Sequence, residues 1–168
     1  MVFLGIAAAL VVDLLSIRSR VLGGLAGAGM AAFPCLGYTF LYLFTASAYC
    51  LAILLAVLSV WLARRGRTSW FLGVVALALS MGTYQAYVTF AISLSLLTVF
   101  RAVLDSESGF RGTLRLGLRL VAYLAAGALL YCIILFIFLQ VKDLELLSYL
   151  GMDAASSGYP FAQLPGLL

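Results

Sequence analysis

The stretch from Ser69 to Leu104 reads SWFLGVVALALSMGTYQAYVTFAISLSLLTVFRAVL, and it decides the fold. It is almost entirely apolar, with Arg67 just before it and Arg101 near its end. Because basic residues of a polytopic membrane protein gather on one side of the bilayer, such a stretch must cross an even number of times. A single spanning helix would place its ends on opposite sides, so the stretch predicts two short helices that meet at Gly82–Gln85.

The composition is that of an integral membrane protein. Apolar residues make up 65% of the 168 residues and charged residues 10%, whereas a soluble domain is about half apolar and about a quarter charged. The net charge of +4 comes without a basic patch interleaved with aromatics, so no nucleic-acid partner is expected. The chain lacks histidine, a P-loop and a dinucleotide fingerprint, so we expect no His-based catalysis, no metal and no cofactor.

The basic residues predict a topology. All nine arginines lie in short gaps between apolar stretches, and these gaps can share one side of a membrane: Arg18, Arg20, Arg64, Arg65, Arg67, Arg101, Arg111, Arg115 and Arg119. The other connections between apolar stretches carry no basic residue until Lys142. Because Lys and Arg are enriched in cytoplasmic loops, the pattern predicts a multi-pass protein with its arginine gaps in the cytoplasm and its N-terminus outside.

The apolar stretches predict an all-α fold, a polytopic transmembrane helix bundle of about six spans that includes short hairpins and has no β-sheet. The spans are assigned to Met1–Ile17, Val21–Phe33, Tyr38–Leu62, the two halves of Ser69–Leu104, and Leu116–Gln140. Pro34 marks a corner, and Asp105–Arg115 is expected to be a polar cytoplasmic loop. The glycines from Gly23 to Gly29 should let the second helix approach a neighbour closely.

The chain divides into two parts. Residues 1–141 are expected to form the helical bundle, and residues 142–168 an outer-face loop that leads toward a further helix. The start is abruptly apolar, and the last residues resemble the approach to another hydrophobic helix. We therefore expect the chain to be a fragment of a longer protein.

Two polar clusters lie at membrane depth. Gly82–Tyr87 combines amide, hydroxyl and aromatic groups, which suit sugar hydroxyls and stacking on a pyranose ring. Phe44–Tyr49 contributes Tyr49 near the outer end of its helix. The structural alternative is that the tyrosines are interfacial belt residues and that the other polar groups bond helices together.

The carboxylates fall on both sides of the predicted bilayer. Asp13 lies near the arginine side, where pairing with Arg18 or Arg20 would account for it, and Asp105 and Glu107 also lie on that side. Asp143, Glu145 and Asp153 lie on the opposite side and alone could serve an outer-face site. No pair of these acids has the spacing of a general acid and base.

The order of these motifs resembles a known family. Phe33-Pro34, the Phe44–Tyr49 segment, and Leu79–Tyr87 followed by Phe90–Leu94 are similar to bacterial membrane glucosyltransferases of the O-antigen-modifying type. The Tyr-Gln-Ala-Tyr segment is the most specific part, and the resemblance covers the middle of a family member. It implies a GT-C-like enzyme of the bacterial cytoplasmic (inner) membrane.

The resemblance also implies a function. Such enzymes move a sugar, here glucose, from a polyprenyl-phosphate carrier to an outer-face glycan, so the implied partners are polyprenyl-phosphate sugar, a glycan acceptor and membrane lipid. Their catalytic carboxylates are expected upstream of Met1, so the catalytic residues are unknown here and this chain alone is expected to be inactive. The candidate residues for binding substrate or lipid carrier are Tyr49, Tyr84, Gln85, Tyr87, Asp143 and Asp153. The alternatives are a transporter or flippase module, whose sites also use broken helices, and a non-catalytic scaffold.

Overall fold

The computed structural model describes residues 2–31, 43–104 and 109–142. These residues form six α-helices joined by short connections, with one 3₁₀ turn at Gln85–Tyr87. The helices are α1 (Val2–Leu14), α2 (Arg20–Ala31), α3 (Leu43–Arg65), α4 (Arg67–Thr83), α5 (Val88–Leu104) and α6 (Gly109–Lys142). The predicted all-α class is confirmed, since the described residues contain helices and turns and no strand.

The helices have the length and composition of a membrane bundle. Within the described residues, three segments are long and apolar enough to cross a bilayer, namely Phe44–Arg65, Gln85–Leu104 and Gly109–Val141. Val2–Leu14 is a shorter apolar helix. The protein is therefore a helical membrane protein, and the expected number of about six crossings stays a prediction.

The boundary of α6 differs from the sequence prediction. The helix begins at Gly109 rather than Leu116, so the residues from Gly109 to Arg115 are helical and the predicted polar loop over Asp105–Arg115 is wrong for them. The arginines of this region (Arg111, Arg115 and Arg119) are compatible with a helix, because their four-residue spacing places them along one side of it. The predicted Pro34 corner and the predicted outer-face loop after Lys142 lie outside the described residues.

Helices α3 and α4 pack backbone against backbone. A single residue, Gly66, joins them, with an extended backbone. A Cβ atom added at Gly73 would lie 2.7 Å from the backbone oxygen of Ser59, so the two backbones touch at this point. Further along, the Ser80 hydroxyl donates a hydrogen bond of 2.8 Å to the carbonyl of Ala52. Small residues thus occupy this interface in place of large apolar side chains, which lets the two membrane helices approach closely.

The glycine-rich helix α2 packs in the way its sequence predicted. A Cβ atom added at Gly23 would lie 3.3 Å from the side chain of Val12 in α1. One added at Gly27, a turn later, would lie 3.7 Å from the Cβ atom of Ala8. The glycines that are four residues apart therefore line the contact between α1 and α2.

Helix α6 meets the α3–α4 hairpin through a stripe of residues spaced by four. The Arg119 guanidinium donates a 2.6 Å hydrogen bond to the carbonyl of Gly66. One turn later the Tyr123 hydroxyl meets Ser59 at 2.5 Å, with both side chains fully buried. At the next turn a Cβ atom added at Gly127 would clash with the side chain of Leu77. The stripe continues with Tyr131 at the candidate site described below.

The buried Ser59–Tyr123 pair predicts unequal mutant effects. Ser59 Oγ donates to the carbonyl of Ala56 at 2.6 Å, so Tyr123 is the donor in the bond between the two hydroxyls. Ser59→Ala would leave the Tyr123 hydroxyl buried without a partner, at a cost of about 1–3 kcal/mol. Tyr123→Phe leaves Ser59 bonded to Ala56 and should cost about 0.6 kcal/mol, a typical value for such bonds in membranes. Unfolding in mixed micelles by SDS titration measures both, and an equal or reversed order would contradict this assignment of the donor.

The arginine end of the bundle holds the carboxylate of Asp13. Trp61 Nε1 donates to Asp13 Oδ2 at 2.7 Å, and an Arg65 nitrogen lies 3.9 Å from the same oxygen. The Arg65 guanidinium also lies 3.5 Å above the Trp61 ring centre. The expectation that Asp13 pairs with Arg18 or Arg20 is therefore wrong, because α3 packs against α1 and brings its own C-terminal turn to this carboxylate.

The predicted topology has a direct test. We expect Gly66→Cys to be shielded from a membrane-impermeant thiol reagent added outside and Gly158→Cys to react, each in a chain whose native cysteines are replaced. Gly66 tolerates the probe, because its φ of −156° is extended backbone and the nearest atom to an added Cβ lies 4.0 Å away. Labelling of Gly66→Cys from outside without labelling of Gly158→Cys would contradict the topology.

Candidate functional site

The site lies at the break between α4 and α5. Helix α4 ends at Thr83, Tyr84 takes an extended conformation (φ −160°, ψ 114°), and the 3₁₀ turn Gln85–Tyr87 leads into α5. The predicted meeting point of two short helices is confirmed. Because α4 has 17 residues, it rises about 25 Å, slightly less than the roughly 30 Å hydrocarbon core. On the predicted topology, a helix that starts at the arginine side would bring the break to the depth of the opposite interface or just below it.

Threonine side chains satisfy carbonyls on both sides of the break. Thr83 Oγ1 donates to the Leu79 carbonyl at 3.0 Å, and Thr89 Oγ1 donates to the Ala86 carbonyl at 2.6 Å. The Tyr87 amide donates to the Tyr84 carbonyl at 3.2 Å. Non-helical backbone at membrane depth requires such internal partners or a wet cavity. The local sequence therefore stabilises a helix break that lipid alone would disfavour.

Three tyrosines from two parts of the chain form an aromatic cluster at this break. The ring centre of Tyr49, in α3, lies 5.2 Å from that of Tyr84 and 6.3 Å from that of Tyr87. The rings of Tyr84 and Tyr87 lie 5.3 Å apart. All three pairs are inclined at 60–64°, the edge-to-face arrangement that aromatic rings favour. Tyr84 remains 48% exposed, so the cluster is an open surface.

Gln85 ties this cluster to α6. Its Nε2 atom donates a hydrogen bond of 2.5 Å to the hydroxyl oxygen of Tyr131. A primary amide has two N–H donors and an acceptor oxygen, so one N–H and the oxygen of Gln85 stay available for a further partner. The Tyr131 hydroxyl, which accepts here, still has its own proton to donate. Gln85 is exposed, so its free N–H and its oxygen lie at the protein surface.

The arrangement combines the two kinds of contact that a sugar needs. Aromatic faces can stack on the apolar C–H face of a pyranose ring, and the amide and hydroxyl groups can bond its hydroxyls. Ligand sites in general pair apolar and aromatic lining with a few placed polar groups. The cluster defined by Tyr49, Tyr84, Gln85, Tyr87 and Tyr131, called the tyrosine–glutamine cluster below, has this composition.

The structure brings together four of the six predicted site residues. Tyr49, Tyr84 and Tyr87 pack together, and Gln85 stands between two of them in sequence. The other two, Asp143 and Asp153, lie outside the described residues, so their role stays a prediction.

Sequence reasoning missed Tyr131. Its signal was the four-residue spacing of Arg119, Tyr123, Gly127 and Tyr131 in an otherwise apolar helix. That spacing puts polar or small residues along one side of α6, the side that contacts the rest of the bundle. The same spacing could therefore have predicted that Tyr131 lies on the contact side of α6, at the level of the helix break.

The described residues offer no carboxylate to the tyrosine–glutamine cluster. Asp13 is the single acid in residues 2–31, 43–104 and 109–142, and it is held by Trp61 and Arg65 at the arginine end. Within the same ranges no group of three or more His, Cys, Asp or Glu residues could hold a metal ion. The cluster is thus equipped for binding, through aromatic and neutral polar groups.

Comparison with known proteins identifies a family. The family model described as "Glucosyl transferase GtrII" matches residues 1–162, which agrees with the O-antigen glucosylation family suggested by the sequence motifs. No curated protein and no solved structure matches the chain. Since the match covers nearly all of the sequence, the chain belongs to the glucosyl transferase GtrII family of membrane glucosyltransferases.

Proposed function

We propose that the protein takes part in moving glucose from a polyprenyl-phosphate carrier to a glycan on the outer face of the bacterial cytoplasmic membrane. The tyrosine–glutamine cluster, on this proposal, binds the glucosyl-phosphate end of the carrier. The observation that carries it is the meeting of three tyrosine rings with the Gln85–Tyr131 hydrogen bond at the helix break. Membership of a glucosyltransferase family favours this function over transport.

The surroundings of the cluster suit a lipid-linked sugar. Large apolar side chains are exposed nearby along the same helices, with Phe44 84% exposed in α3 and Leu79 55% exposed in α4. Phe44 lies five residues before Tyr49, toward the start of α3. Leu79 lies five residues before Tyr84, toward the membrane core. A prenyl chain can therefore lie against the bundle in lipid while its sugar reaches the open rings of the cluster.

The transfer step requires groups that the cluster lacks. An inverting transfer needs a carboxylate base near the acceptor hydroxyl. Asp143 and Asp153 are proposed to contribute polar contacts to substrate or carrier from the segment after α6. The part of the cluster residues is to hold and orient the donor, which accounts for a site built of aromatic and neutral polar groups.

The transfer assay tests the proposal. Membranes containing the full-length enzyme are given radiolabelled polyprenyl-phosphate glucose and a panel of outer-face glycans, with protein-free membranes as the control. We expect label to move to a glycan and unlabelled polyprenyl-phosphate glucose to compete. Movement of the intact lipid-linked sugar between leaflets, with no label on any glycan, would contradict the proposal and favour a flippase.

A further inference from the structure

A cavity lies at the opposite end of the bundle from the tyrosine–glutamine cluster. It has a volume of about 400 Å³ and is lined by Arg67, Trp70 and Phe71 of α4 and by Arg119 and Ala122 of α6. Two guanidinium groups and two aromatic rings therefore share one cavity where α4 begins. None of its lining residues takes part in the proposed sugar site.

The arginines of this cavity have unused hydrogen-bonding capacity. Arg119 is held in place by one hydrogen bond to the Gly66 carbonyl at 2.6 Å, which leaves four of its five N–H donors. Arg67 is exposed and makes no ion pair or hydrogen bond within the described ranges. None of the described residues that line the cavity is acidic, so these walls leave its two positive charges unneutralised.

The aromatic wall is fixed as well. Trp70 Nε1 donates to the Arg119 carbonyl at 3.4 Å, and the Trp70 and Phe71 rings lie 5.1 Å apart, edge to face. Phe71 is 59% exposed, so an apolar surface continues outward from the charged cavity. A ligand that fits both parts is an amphiphile with an anionic head and an apolar chain. Tryptophan and arginine at such a position are typical of the membrane interface.

We propose that this cavity binds the phosphodiester headgroup of an anionic phospholipid in the leaflet on the arginine side. The two guanidinium groups match the phosphate, and the chains lie along Phe71. Basic pockets between helices on the cytoplasmic side are suited to such headgroups. The occupant differs from the polyprenyl carrier, because α4, whose 17 residues rise about 25 Å, separates this cavity from the sugar site.

Tryptophan fluorescence tests the proposal without requiring transfer activity. The protein carries Trp61→Phe, so that Trp70 is the sole tryptophan, and is placed in phosphatidylcholine nanodiscs containing either brominated phosphatidylglycerol or brominated phosphatidylcholine. We expect Trp70 to be quenched by brominated phosphatidylglycerol with an apparent affinity about fivefold higher than by the zwitterionic lipid, since each interfacial arginine attracts anionic lipid. Equal quenching by the two lipids would overturn the proposal.

Variants and competitors define the site. Arg67→Gln should remove the preference while the protein stays folded, because Arg67 supports no other described contact, whereas Arg18→Gln, with the same loss of charge, should retain it. An equal loss in both variants would reduce the preference to general surface charge and overturn the proposal. Displacement by inorganic phosphate would show a free-anion site, and displacement by polyprenyl phosphate at lower concentration than by phosphatidylglycerol would show a carrier site; either result overturns it.

Discussion

In the full-length enzyme, Gln85→Leu is expected to lower the rate of glucose transfer by about 10²–10³-fold, the usual effect of removing one well-placed polar contact to a transition state. The change keeps the size of the side chain but removes the amide that bonds Tyr131 and retains one N–H and one oxygen for a ligand. Because Gln85 is exposed, the loss should leave expression and membrane insertion near normal. Initial rates with polyprenyl-phosphate glucose in membranes of matched protein content measure the effect.

The matched control is Gln140→Leu, which removes the same amide from an exposed position near the end of α6. It should transfer glucose at the rate of the unmodified protein. Full activity of Gln85→Leu would instead mean that Gln85 has no role in transfer. Loss of folded Gln85→Leu protein from the membrane would mean that its role is purely structural. In either case the tyrosines would be interfacial belt residues, which is the alternative that the sequence left open.

Gly73→Leu is expected to destabilise the bundle by about 3 kcal/mol or more. A Cβ atom at this position would already lie 2.7 Å from the Ser59 carbonyl oxygen and 3.1 Å from the Ala63 nitrogen, and neither backbone atom can rotate away. Overpacking of a tight interface costs about 1–3 kcal/mol and occasionally more, and leucine adds three further carbons. Unfolding by SDS titration in mixed micelles, followed by circular dichroism, measures the change.

Gly82→Leu is the control, because it makes the same substitution in the same helix at a position where an added Cβ has nothing within 4 Å. Its stability should stay within about 0.5 kcal/mol of the unmodified protein, as for other surface changes. Similar destabilisation by both substitutions would mean that α3 and α4 do not pack backbone to backbone at Gly73.

The helix break was predictable because two independent signals coincide there. Arg67 and Arg101 require an even number of crossings, and the polar segment Gly82–Gln85 is the one place in the stretch where a turn suits the residues. Both signals agree with the structure, in which α4 ends at Thr83 and a 3₁₀ turn follows at Gln85–Tyr87. The glycines of α2 likewise predicted a close helix contact, since small residues let membrane helices approach closely.

The contacts between helices were harder to predict from the sequence. Asp13 has arginines close to it in sequence, yet its partners are Trp61 and Arg65, because the packing of α3 on α1 decides which side chains share a level. The role of Tyr131 depends on the same kind of information, since its spacing from Tyr123 indicates which side of α6 it lies on but not which residue it meets. Once α6 is placed by Arg119 and Tyr123, its contact with Gln85 follows.

Photo-crosslinking with a lipid-linked sugar tests the central claim most directly. The probe is polyprenyl-phosphate glucose with a diazirine on the sugar, bound to the protein in nanodiscs, irradiated, and located by mass spectrometry. The account predicts crosslinks on the tyrosine–glutamine cluster, chiefly Tyr84 and Gln85, that disappear when unlabelled polyprenyl-phosphate glucose is added. Competable crosslinks confined to the arginine end, at Trp70 or Arg119, would contradict it.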